Sequence, residues 1–188
     1  MPIKIFIDQG HNPHNPNAGA EANGVREQDI NFEVGIRLAA LLNSNPEFTA
    51  RTSRQNSTEM IGTSTNTSLA ARVNAANSWG ADYFISLHCN ASIDPNISGS
   101  EAFAYSRTSE GYALGEKILV GLNYATGLEN RGVAARPSLY VLRKTNMPSV
   151  LVEMGFVTNS NDAYLLSTNP QLFATGIYNG ILLFFGLL

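Results

Sequence analysis

Two histidines and two glutamates are the side chains of this chain whose types and places suggest chemistry. His11 follows an apolar run at 3–8, and His88 ends another at 83–87. Glu153 closes a third run that starts at Ser149, and Glu27 opens an amphipathic segment. Two imidazoles and one carboxylate are the protein ligands of many hydrolytic zinc sites, which keep a fourth position for water. A second carboxylate can then take the proton of that water. Residue types and spacing alone favour a structural role for each histidine, the commoner case for a lone histidine, over a zinc site. Other chemistries are missing from the chain: it has no G-x-S-x-G elbow, phosphate-binding loop, G-x-G-x-x-G, H-E-x-x-H or C-x-x-C.

For the four residues to meet, strands must carry them. Tyr83, Phe84, Ile85 and Leu87 are strand formers with apolar residues on both faces, which fits an interior strand of a parallel sheet covered by helices. Alternation points His88 with Phe84 and Ser86 and turns Cys89 away, into the core rather than the site. Ligands of open α/β sheets sit at the carboxyl ends of strands. If the three runs are parallel strands, His11, His88 and Glu153 share one edge.

The rest of the chain reads as the same kind of layer. A helix is expected over 28–43, with Ile30, Val34, Leu38, Leu41 and Leu42 on one face. Glu27 shares that inward face, where a carboxylate needs compensation. It equally suits a helix dipole in solvent. A short strand at 48–52 and a polar surface loop over 54–66 follow. Helix is expected over 69–79, stopped by Gly80. A loop at 92–100 leads to a strand at 101–105, a helix over 108–124 and a strand at 139–142. A short helix at 162–166 precedes a last one opened by Pro170, with Ile177, Ile181, Phe184 and Leu188 as its stripe. Strands alternating with helices define an α/β fold, a single domain with a mostly parallel, mixed sheet flanked on both faces.

Size and charge bound the function. The chain has 188 residues, 44% of them hydrophobic, enough for one domain with a real core. Twelve basic and 15 acidic residues, net −3, give no footprint for nucleic acid or an anionic membrane. One cysteine excludes an internal disulfide framework. The start shows no signal peptide, and no apolar run is long enough for membrane insertion.

The wording of the chain goes further. The stretches IFIDQGHNP, GVREQDIN, LAARVNAANSWGADYFISLHCNAS, GSEAFAY, NRGV and LVEMGFVTNSNDA occur in that order across nearly the whole sequence. Together they resemble the zinc-dependent N-acetylmuramoyl-L-alanine amidases of the amidase-3 type, found in autolysins, sporulation amidases and phage endolysins. The resemblance implies a twisted, mostly parallel sheet flanked by helices. It makes His11, Glu27 and His88 the zinc ligands and Glu153 the catalytic glutamate. The implied reaction is hydrolysis of the amide between the lactyl group of N-acetylmuramic acid and L-alanine of the stem peptide. Residues 1–188 would then be a catalytic domain, a monomer acting on peptidoglycan at the bacterial cell wall, cut or processed from a larger protein. Asn90 and Arg131 are candidate substrate contacts, although Arg131 equally suits ordering its own loop. Asp8 either bonds a ligand histidine or closes its turn. Glu101 reads more readily as an ordinary strand-start acid than as a further site residue, and His14 as a loop histidine. The family often reads D-P-G-H-G-G where this chain has DQGHNP, so Gln9 and Asn12 alter the loop around His11.

Overall fold

The computed structural model describes all of residues 1–188. A six-stranded sheet forms its middle layer, in the order β4-β1-β5-β8-β6-β7. The strands are β1 (Ile3–Gln9), β4 (Phe48–Thr52), β5 (Tyr83–Asn90), β6 (Ser100–Ala104), β7 (Asn130–Ala135) and β8 (Ser149–Phe156). The small pair β2 (Glu21–Ala22) and β3 (Val25–Arg26) forms a separate hairpin. Strands β4, β1, β5 and β8 are parallel; β6 runs antiparallel to β8, and β7 parallel to β6. The sheet is therefore mixed and mostly parallel, as the element pattern predicts.

Alternation along the strands builds a core on each face. Ile5, Ile7, Ile85, Leu87, Val150 and Val152 pack against α1 (Glu27–Asn43), α3 (Glu110–Thr126) and α6 (Pro170–Phe185). Phe6, Phe84, Phe103 and Leu151 face the other way, onto α2 (Thr65–Trp79) and α4 (Tyr140–Lys144). The short α5 (Ser160–Thr168) follows β8. No helix is long and apolar enough to cross a membrane.

Several local expectations change. Residues 139–142 are not a strand: α4 occupies Tyr140–Lys144, which lets the adjacent Val141 and Leu142 both reach the second core. Strand β7 was not anticipated, since its small residues Gly132, Ala134 and Ala135 carry little strand preference. The stretch 54–66 is not all surface. Arg54 is wholly buried, and Ser64 starts α2 four residues ahead of Leu69's turn through a reciprocal capping box with Thr67. Leu188 lies beyond α6 and is exposed, so the terminal stripe ends at Phe184.

Candidate active site

Parallel register brings the strand ends level. Asp8 lies beside Ser86 and Gln9 beside Leu87, and the Gly10 amide still donates to the Leu87 carbonyl at 3.0 Å. A Cβ on Gly10 would lie 2.5 Å from the His88 ring, so only glycine lets the chain pass there. His11 follows in the left-handed region at φ 69, unusual for a residue with a Cβ. Its ring meets that of His88 edge-on, with centroids 4.8 Å apart.

The carboxylate that joins them comes from the first turn of α1. Glu27 is only 4% exposed, which settles its orientation inward. Its Oε1 lies 3.1 Å from His11 Nε2 and 2.9 Å from His88 Nδ1. The same oxygen accepts the Cys89 amide at 3.1 Å, and Oε2 accepts the Ala20 amide at 2.9 Å. These contacts supply the compensation that a buried carboxylate needs. Burial alone would raise the Glu27 pKa; its bonds to His11 and His88 outweigh that and hold it well below the usual carboxylate range.

The donor set fits a cation. One potential ligand atom from each of His11, Glu27 and His88 lies within 4.8 Å of the others. Lone pairs on three such atoms repel unless protons or a positive ion lie among them. His11 Nδ1 is in addition buried with no protein partner. The histidine side chains are 22% and 18% exposed, so the group opens to solvent at the sheet edge.

Glu153 stands next along that edge, on β8 and in register with His88. Burial pushes its pKa well above the ordinary value, and the charges of Glu27 and Glu101 push it further. Its Oε2 is buried without a partner. Glu101 is not merely a strand-start acid: antiparallel pairing of β6 with β8 sets it directly opposite Glu153. Asn90, at the end of β5, donates to Glu101 Oε1 at 2.5 Å.

Other candidates resolve differently. Asp8 bonds neither histidine; it pairs with Arg72 at 2.7 Å and accepts from Ser86 at 2.8 Å. Arg72 was missed by sequence reasoning. From α2 it donates to the carbonyls of Gln9 and His11, at 2.6 and 2.5 Å, and so ties the His11 loop to the sheet. Arg131 donates to the Ser98 carbonyl at 3.2 Å, which orders its loop. His14 is exposed and outside the cluster. The Cys89 thiol is buried and pushed up by desolvation, as its turn into the core implies, although its amide serves Glu27.

The two departures in the His11 loop have structural partners. Gln9 is fully buried, accepts the Arg54 amide at 2.8 Å, and fills space against Gly35 that a Cβ there would close. Asn12 donates to the carbonyls of Pro16 and Ile61 and accepts the Ile61 amide, clamping the loop across 49 residues of sequence.

An α/β layer that gathers two imidazoles and a carboxylate at its strand ends, with a protonatable acid beside them, is built as a hydrolase. The chain belongs to the N-acetylmuramoyl-L-alanine amidase family (Amidase_3), whose pattern matches residues 5–182. It is 37% identical over 187 residues to the N-acetylmuramoyl-L-alanine amidase CwlM of Bacillus licheniformis, covering 95% of this chain and 67% of that protein. The CwlD amidase of Clostridioides difficile, solved in complex with the GerS lipoprotein, superposes with a TM-score of 0.89 at 26% identity. That match covers 98% of this chain and 99% of CwlD. AmiC2 of Nostoc punctiforme gives 0.85 at 30% identity, covering 98% and 97%.

Proposed function

We propose that this chain hydrolyses the amide between the lactyl carbonyl of N-acetylmuramic acid and the L-alanine of the stem peptide. In this reading His11, Glu27 and His88 hold a zinc ion, and Glu153 moves the proton. The observation that carries it is the convergence of His11 Nε2, Glu27 Oε1 and His88 Nδ1 on one point, next to an acid whose affinity for protons is raised. Zinc, when bound there, polarises a carbonyl and makes water acidic enough to react near neutral pH.

The chain's own residues do the rest. The Ala20 and Cys89 amides and the buried position of Glu27 keep its charge fixed and aimed at the histidines. Arg72 holds the His11 backbone in a conformation it would not choose alone. Glu153 takes a proton from the attacking water and returns it to the amide nitrogen as the C–N bond breaks. All four side chains come from one chain, so a monomer suffices, and residues 1–188 act as the catalytic unit on peptidoglycan at the bacterial wall.

The test is digestion of purified peptidoglycan followed by mass spectrometry. Intact stem peptides with a free N-terminal L-alanine should appear, vanish with a chelator and return with zinc. Full activity in protein shown metal-free by elemental analysis would overturn the metal assignment, and products of any other cut would overturn the substrate.

A further inference from the structure

Three neighbouring strands present three functional side chains in one row. His88 on β5 is the register partner of Glu153 on β8, and Glu153 is the register partner of Glu101 on β6. Register partners lie on the same face of a sheet, with strands about 4.8 Å apart. The row therefore has a direction: the His11–Glu27–His88 group lies on one side of Glu153, and Glu101 on the other.

Glu101 is an odd residue to find there. Two glutamates directly opposite each other on antiparallel strands repel. No lysine, arginine or histidine pairs with Glu101, while Arg26, Arg37, Arg72 and Arg131 each contact another acid. Its carboxylate accepts one hydrogen bond, from Asn90 to Oε1. Its charge also adds to the forces that raise Glu153. The fold thus keeps an uncompensated negative group beside its proton carrier, held in place by a side chain from a third strand.

The reaction produces a positive charge that fits it. Amide hydrolysis converts R–CO–NH–R′ and water into R–COO⁻ and ⁺H₃N–R′. The water oxygen bonds to the carbonyl carbon and the C–N bond breaks. One water proton reaches the nitrogen through Glu153, and the second follows from the nascent carboxylic acid. The carbonyl has to lie toward the histidines and the nitrogen within reach of Glu153, so the next group along the row, Glu101, faces the nitrogen.

The geometry points to Glu101, braced by Asn90, as the acceptor for the amide N–H of the substrate and for the ammonium of the departing L-alanyl peptide. This inference rests on the amidase reading. It also gives the substrate a polarity: the stem peptide runs from Glu153 across β6 toward β7, and the sugar lies on the His11 side.

The experiment compares two ligands, an L-alanyl stem peptide with a free amino terminus and its N-acetyl derivative, binding at equilibrium to the zinc-loaded protein. The wild type should prefer the free amine by at least tenfold. Glu101→Gln, which keeps the shape and the Asn90 bond but not the charge, should lose that preference, with the larger loss falling on the free amine and a smaller one on the acetylated peptide, whose amide N–H meets the same side chain. Glu101→Asp should restore part of it. A preference that survives Glu101→Gln, or is absent from the wild type, overturns the inference. Muropeptide digestion by the same wild-type sample separates the two levels: if it yields no L-alanine-terminated peptides the amidase reading itself has failed, and if it yields them only the role of Glu101 has.

Discussion

Glu27 and Glu153 lie at the same edge of the same sheet, and their surroundings drive them in opposite directions. Glu27 receives two backbone amides and faces two imidazoles, so it stays charged well below the usual carboxylate range. Glu153 is desolvated, faces two other carboxylates and has an oxygen with no partner, so it clings to a proton. A carboxylate held in its charged form suits a cation; one that gains and loses a proton suits transfer. The difference comes from neighbours alone, since the residue type is the same.

The largest effect should come from replacing Glu153, the proposed proton carrier. Glu153→Gln should keep its zinc and lose turnover by ~10²–10⁴, the usual range for a general acid–base. Elemental analysis beside the rate of peptide release checks it. A variant that lost its metal would show that the roles of the two glutamates had been exchanged.

The converse variant is Glu27→Gln. It removes the charge from the donor set, and zinc affinity should fall by at least about 10–100-fold, the range seen when even an outer partner of a ligand is lost. Competition with a chromophoric chelator measures it. Unchanged affinity would mean that the histidines alone hold the ion.

A third test needs no metal. Because the folded-state pKa of Glu153 is raised, the folded protein retains a proton there that the unfolded chain has already released. Stability from this group is fully present below the ordinary value of 4.5 and is lost as pH rises toward the folded value. Metal-free Glu153→Gln should therefore melt higher than wild type at pH 8 and no differently near pH 4. Thermal melts across that range check the sign; an advantage that grew as pH fell would contradict the environment described for Glu153.

Part of this contrast was legible in the sequence. The strand alternation around 83–88 and the runs ending at Asp8 and Glu153 placed His11, His88 and Glu153 on one edge, because local periodicity sets which side a residue faces. Helical spacing gave Glu27 an inward face but not a reason to be there. That reason is the Ala20 and Cys89 amides, supplied by the loop just ahead of β2 and by a distant strand. For Glu101 the sequence favours a strand-start acid over a site residue, because its partnership with Glu153 depends on β6 running antiparallel, a non-local choice that its own five residues do not encode. The stretch around 139–142 misled for a related reason. Leu139, Tyr140 and Val141 suit a strand in isolation, and packing on the second core overrides that preference.

The smallest expected effect, at Arg54, belongs to a comparison that tests whether neighbours also decide the behaviour of buried cations. Arg72 and Arg54 are both sealed from solvent, at 1% and 0% exposure. Arg72 pairs with Asp8 and donates to two carbonyls of the His11 loop. Arg54 donates once from its guanidinium, to the Gln28 carbonyl at 2.6 Å, while its Nε and Nη1 find no partner. Burial, then the repulsion of Arg72, lowers the Arg54 pKa to about 10. Arg72→Met strands a buried Asp8 and should cost about 3–5 kcal/mol, the range for breaking a buried pair. Arg54→Met removes a charge that the fold barely accommodates and keeps apolar volume against Phe32, over whose ring the guanidinium now sits. Its cost should be below about 1 kcal/mol, and a gain is consistent with the same reasoning. Urea unfolding of the two metal-free variants beside wild type makes the comparison. Equal losses would mean that depth of burial, and not the set of partners, governs these two side chains.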